Sequence, residues 1–321
     1  MKHSRFNFFL SLIALILLSI YIPLTWAQNR FDDFSIEIPQ IQNFEDFDIV
    51  TIKSRTVDLP AKNKDHQFGK NTIIEDQFFF IPKNGYVTEI TSEVVGAPSQ
   101  EVIHHSALLN SLGKKDFMCP EIPEFVYMTD EYLSPFAPPN GYGYQIKPPK
   151  NLYYLFTHFR NDLNTDFKNV YLKLTLKISK NKQQPLETIR LDGHNNSCDK
   201  FSSFPILANS HKEITMKEPL ESPYSGKVIF IAGHFHDYSD HLKILKNGQE
   251  VLNFKPVFSS NNNSRSDLKS ENHIEKIPPI SPDNLYFQKG DKITLLTEYF
   301  NPTDMPIEAM VLALAYIAVS K

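Results

Sequence analysis

Short runs of β-branched and aromatic residues, each cut off by Pro, Gly, Asn or Asp, limit what this chain can fold into. Residues 76–81, 86–90, 169–176 and 227–232 are examples. Such residues fit the pleated, half-buried surface of a sheet, and the turn residues between them bound strands. No stretch repeats its apolar positions with a helical period. The reading is therefore all-β, of the sandwich or jelly-roll kind, with no α/β layering. Residues 309–319 are apolar without a break, which predicts a central strand buried on both faces.

At 321 residues the chain can bury two cores. A polar stretch over residues 179–185 follows a strong strand and divides the chain into residues 28–185 and 186–321, two tandem antiparallel β-sandwiches. Residues 259–284, rich in Ser, Asn, Lys and Pro, read as a long surface loop of the second. Residues 1–27 join a basic start, an apolar run over 6–22 and a Thr25-Trp26-Ala27 ending. They read as a signal peptide cleaved after Ala27, the alternative being a membrane anchor. An exported chain would be secreted, periplasmic or in a secretory lumen, with no membrane contact after cleavage. The net charge of −4 supplies no basic field, which argues against a nucleic-acid partner. In an oxidising compartment Cys119 and Cys198, the two cysteines, form either one disulfide or two unrelated buried thiols. Asn195 and Asn262 match the glycosylation pattern.

Of the eleven histidines, five fall in three settings. His234 and His236 follow an apolar strand, and alternation puts both on one face, where they can close on one ion. Imidazole suits copper, zinc, iron and nickel alike, so the pair names no metal. His104 and His105 are adjacent; on a regular strand they face opposite ways and share an ion only where the backbone twists or ends. His158 sits in an aromatic strand, as a core residue or a ligand. Met310 in the apolar C-terminal run fills core unless a soft metal lies beside it, where a His-His-Met set favours copper over zinc. His66, His194, His211, His241 and His273 lie in polar segments and read as solvated.

Taken in order, these settings resemble the copper type II, ascorbate-dependent monooxygenases, the family of peptidylglycine α-hydroxylating monooxygenase and dopamine β-monooxygenase. The likeness runs from about residue 75 to 321. It implies two coppers per chain and a metal cleft between the sandwiches. His104, His105 and His158 would form an electron-transfer site; His234, His236 and Met310 would form the catalytic site. It also implies O2 and an external one-electron reductant such as ascorbate, used to hydroxylate a C–H bond of a small-molecule or peptide substrate.

Departures bear on the substrate. Where the peptide-hydroxylating members place an arginine and a tyrosine to hold a peptide's C-terminal end, this chain has Ala232 and Leu314. Without a guanidinium to pair with a carboxylate, a glycine-extended peptide is disfavoured. Ser106 stands where those enzymes carry a methionine after the histidine pair. Two other readings stay open. One is a non-enzymatic copper-binding or delivery protein on the same fold; the other is a cupin-like mononuclear metalloprotein using His234, His236, Asp240 and His241.

Overall fold

The computed structural model describes residues 35–61, 72–98, 102–161, 163–193, 203–258 and 274–320. The segment read as a signal, residues 1–27, lies outside them, as do Cys198, Asn195, Asn262, His66, His194 and His273. Within the described residues every regular element is a strand, so the protein is all-β. No helix among them is long and apolar enough to cross a membrane. Cys119 is disulfide-bonded.

Side-chain alternation builds the layers. In the strand Phe167–Ser179, Val170, Leu172, Leu174, Leu176 and Ile178 are buried while Tyr171, Lys173, Thr175 and Lys177 face outward. This strand, with Phe47–Lys53 and Gly85–Val95, forms one layer of the first sandwich. A five-stranded sheet covers it, in the order Ile36–Glu37, Thr72–Phe80, Leu152–Arg160, Ile103–Lys115, Pro123–Asp130. The first layer continues edge-on into the second sandwich. Tyr142–Ile146 pairs in parallel with Gln184–Asp192, which pairs with Val311–Val319, which pairs with Gly226–Phe235. The second cover holds Ser210–Thr215, Lys292–Asn301, Ser239–Lys246 and Gln249–Phe254. The two hydrophobic cores part company between Leu186 and Ile189.

The halves repeat one topology. Thr72–Phe80, Leu152–Arg160, Ile103–Lys115 and Pro123–Asp130 have the same order as Ser210–Thr215, Lys292–Asn301, Ser239–Lys246 and Gln249–Phe254. Bulges recur at matching places. Phe159 faces Ile103 and His158 faces His105, leaving one extra residue, and Tyr299 faces Ser239 while Thr297 faces Leu242 across the same slip. The long-sheet strands slip alike, at Thr88 in one half and Ile229 in the other. Asn161 and Asn301, both fully buried, hold equivalent loops. Asn161 Nδ2 reaches the carbonyls of Leu59, Pro60 and Thr165; Asn301 Nδ2 reaches those of Ile206, Leu207 and Met305. Each Oδ1 accepts the N–H two residues on, at 3.0 Å. Thr157-His158-Phe159-Arg160-Asn161 and Thr297-Glu298-Tyr299-Phe300-Asn301 are thus counterparts.

The apolar run at the C-terminus lies between the two cores. Leu314, Tyr316 and Ala318 enter the first core, and Val311, Ala313, Ala315 and Ile317 the second. On its partner, Phe230 and Ala232 also face the first sandwich. Phe136 of the first sandwich packs on Tyr316 and Phe230, with ring centroids 4.5 and 5.6 Å away, and Tyr316 donates to the carbonyl of Val126 at 2.9 Å. The sandwiches therefore meet through a dry contact. Two sequence readings are corrected. The stretch 259–284 is not all surface loop: Ile274–Lys276 is a strand, and Ile274 and Ile277 are buried in the second core. His241 is not solvated but buried, because it occupies the bulge that His105 occupies in the first half.

Candidate metal centre

Parity carries His234 and His236 to the seam. Residues 230 and 232 face the first sandwich, so 234 and 236 continue that row, and Met310 and Leu312 do the same opposite them. From the other side, the bulge at His158 puts an extra residue into Ile103–Lys115, and this lets adjacent His104 and His105 turn toward the same place. The ring centroids of His104, His105 and His158 lie 4.8 to 5.0 Å apart. One ligand nitrogen from each lies within 4.8 Å of the others, a set that could hold a metal ion.

The two sets inferred from the sequence adjoin each other. The rings of His104 and His236 are 4.8 Å apart, and those of His234 and His236 are 5.1 Å apart. A second group that could hold a metal joins the halves, His104 with His236 and Glu308. Met310 is buried and lines a cavity of about 30 Å³ together with His105, Ser106, Asp130, Ala232 and His234. Leu314 is away from the cavity, in the first core. Ser106 donates to the carbonyl of Phe156 at 2.6 Å, an internal bond of its sheet.

Partners fix how the rings present themselves. His234 Nδ1 lies 2.8 Å from Asp130 Oδ2, and His234 Nε2 has no hydrogen-bond partner. His236 Nδ1 lies 3.2 Å from the Glu308 carbonyl, which only accepts, so Nδ1 carries the proton and Nε2 the lone pair. Neither ring nitrogen of His104 makes a hydrogen bond, nor does His158 Nε2. Buried polar atoms left over in this way need an explanation, and a metal ion is a natural one. The Tyr299 hydroxyl accepts the backbone N–H of His236 at 3.0 Å and donates to the Met310 carbonyl at 2.7 Å. It ties two residues of one set to each other.

The charges favour neutral imidazoles on the first side. Burial, helped by the Arg160 guanidinium and the neighbouring histidines, holds His104 well below the usual histidine range, and burial with the nearby histidines does the same to His105. His158 is lowered to about 4 by burial and by Arg160. Burial also opposes the cationic form of His234, but the bond and charge of Asp130, with Glu131 and Glu308, outweigh it and raise that group. Neutral imidazole is the form that binds a metal.

Asp130, Arg160, Tyr299 and Glu308 are the participants that sequence reasoning missed. Glu308 stands two residues before Met310, and the strand period alone could have flagged it. Asp130 faces His105 across the ladder, a pairing no sequence pattern shows. The mononuclear set of His234, His236, Asp240 and His241 is not assembled: neither metal-capable group among the described residues includes Asp240 or His241.

No family model matches the chain, and no curated protein does. Among solved structures, PNGF-II is similar at 11% identity and TM-score 0.41, over 83% of this chain and 65% of its own length. The major capsid protein P2 of bacteriophage PM2 is similar at 13% identity and TM-score 0.29, over 84% of this chain and 98% of its own. The chain thus spans just under two thirds of PNGF-II. What is defined is a class, an all-β protein of two repeated sandwiches with buried histidines from both halves at their seam.

Proposed function

We propose that the protein is a copper-dependent monooxygenase, with one copper held by His104, His105 and His158 and a second by His234, His236 and Met310. The observation that carries this reading is buried Met310 lining one cavity with His234 and with His105 of the other set. A thioether beside imidazoles is a donor set that favours Cu(I) over zinc. When bound, copper would supply one-electron redox chemistry and O2 activation for hydroxylating a C–H bond, with electrons from an external reductant such as ascorbate.

The chain's own groups do the holding. Asp130 fixes the tautomer and direction of His234, as an outer carboxylate does for a metal-binding histidine. Tyr299 sets the spacing of His236 and Met310 through their backbones. A non-enzymatic copper-binding protein is the second reading. Ala232 favours it, since that position offers a substrate carboxylate no guanidinium.

Copper analysis of the loaded, desalted chain tests the proposal. Two coppers per chain are expected, falling to one in His104→Ala/His105→Ala and to one in His234→Ala/His236→Ala. A single metal lost in both variants would refute the two-copper arrangement. Substrate-dependent O2 uptake by the reduced protein separates the enzyme from the binding protein.

A further inference from the structure

We propose that His104, His236 and Glu308 form an alternative site for a divalent ion of the zinc class, and that filling it excludes the two-copper state. The second clause rests on the copper reading; the first does not. Ligand atoms of the three residues lie within 4.8 Å of one another. His104 is buried and makes no hydrogen bond from either ring nitrogen. The His236 Nδ1–H donates to the Glu308 carbonyl, so its Nε2 lone pair is the one presented. Glu308 Oε1 stands 3.6 Å from His104 Nε2, while Oε2 accepts from Arg160 at 2.9 Å, which holds the carboxylate in place and leaves one oxygen toward the imidazole.

Two imidazoles and a carboxylate make a nitrogen and oxygen set with a fourth position open, which suits Zn²⁺. Cu(I) gains little from the carboxylate and more from the thioether of Met310. Exclusion follows from counting lone pairs. His104 belongs to one copper set and His236 to the other, and an imidazole nitrogen binds one ion at a time. Zinc here takes one ligand from each set. It also fastens the first half, through His104, to the second, through His236 and Glu308, so it raises the melting temperature as a ligand of the folded state alone.

The experiment titrates the copper-free full chain with Zn²⁺ and, separately, with Cu(I), in the unaltered protein and in Glu308→Gln. The expected result is one zinc per chain, a loss of at least about tenfold in zinc affinity in E308Q, and zinc-loaded protein that takes up fewer coppers. Equal zinc affinity in the two proteins, or zinc held alongside two coppers, would overturn the proposal. Failure of copper to bind at all would sink the copper reading, while the zinc comparison still decides this site. If circular dichroism shows E308Q misfolded, zinc affinity in Glu308→Asp takes its place, with no loss there counting against the site.

Discussion

In the first sandwich the bulged strand Ile103–Lys115 carries His104 and His105 opposite His158, and in the second the same places hold Asp240, His241 and Glu298. The converse holds on the long sheet. His234, His236 and Met310 of the second half match Glu93, Val95 and Tyr171 of the first, by the shared register and bulge. One repeated unit therefore bears ligands on its cover sheet and the other on its long sheet. The centre arises where these unlike faces meet. Water explains the rest of the contrast. Lys173 and Glu93 form an ion pair on an outer face, while their counterparts Leu312 and His234 sit in the dry seam. The outer face tolerates charge because solvent screens it; the inner face admits polar atoms only with a partner or an ion.

The largest expected effect tests the equivalence itself. Asn161→Ala and Asn301→Ala each remove the partner of one carbonyl of a buried residue, Leu59 or Ile206, of two carbonyls of exposed residues and of one N–H. Each should lower the stability of the metal-free chain by about 3 kcal/mol, measured by urea unfolding. Costs differing by more than threefold would show that the two loops are not held alike.

A smaller effect separates the two faces by pH. The folded-state value of His158 is about 4, against an ordinary 6.5. Below 6.5 the unfolded chain binds a proton that the folded chain refuses, so stability is full above 6.5 and falls as pH drops toward 4. For this partly buried ring the loss is of the order of 2 kcal/mol. The melting temperature of metal-free His158→Gln should fall less over this window than that of the unaltered chain. Parallel slopes for the two proteins would remove the electrostatic distinction drawn for the inner face.

Much of this architecture is legible in the sequence, for identifiable reasons. The strand Phe167–Ser179 shows its buried side through simple alternation, and the unbroken apolarity of residues 311–319 reports two dry faces. His234 and His236 declare a common direction through their spacing. The convergence of His104 with His105 does not show, because it depends on a bulge, and a slip of one residue leaves no compositional mark. The repeat is hidden as well. The counterpart pentapeptides at 157–161 and 297–301 share only Thr, an aromatic ring and Asn, the positions whose side chains are buried in both halves. Outward residues diverged, and His241 was misread as solvated because its neighbours in sequence are polar while its neighbours in space are not.

The smallest expected effect asks whether the bulge suffices to make a metal site. Asp240→His with Glu298→His would give the second sandwich the three imidazoles of the first, around the buried His241 whose Nδ1 contacts Asp240 and whose Nε2 has no hydrogen bond. Local geometry alone predicts one additional, weak metal ion per chain, read by elemental analysis against the parent protein. No gain would mean that a three-histidine set needs more than the bulged ladder. In the first half the missing ingredient is visible: His104 is packed against His236 of the other sandwich, and its burial there keeps it neutral. The outer face of the second half has no such partner among the described residues. A failed graft would therefore place the origin of the centre in the docking of two unlike faces, and a successful one would place it in the slipped register that both halves carry.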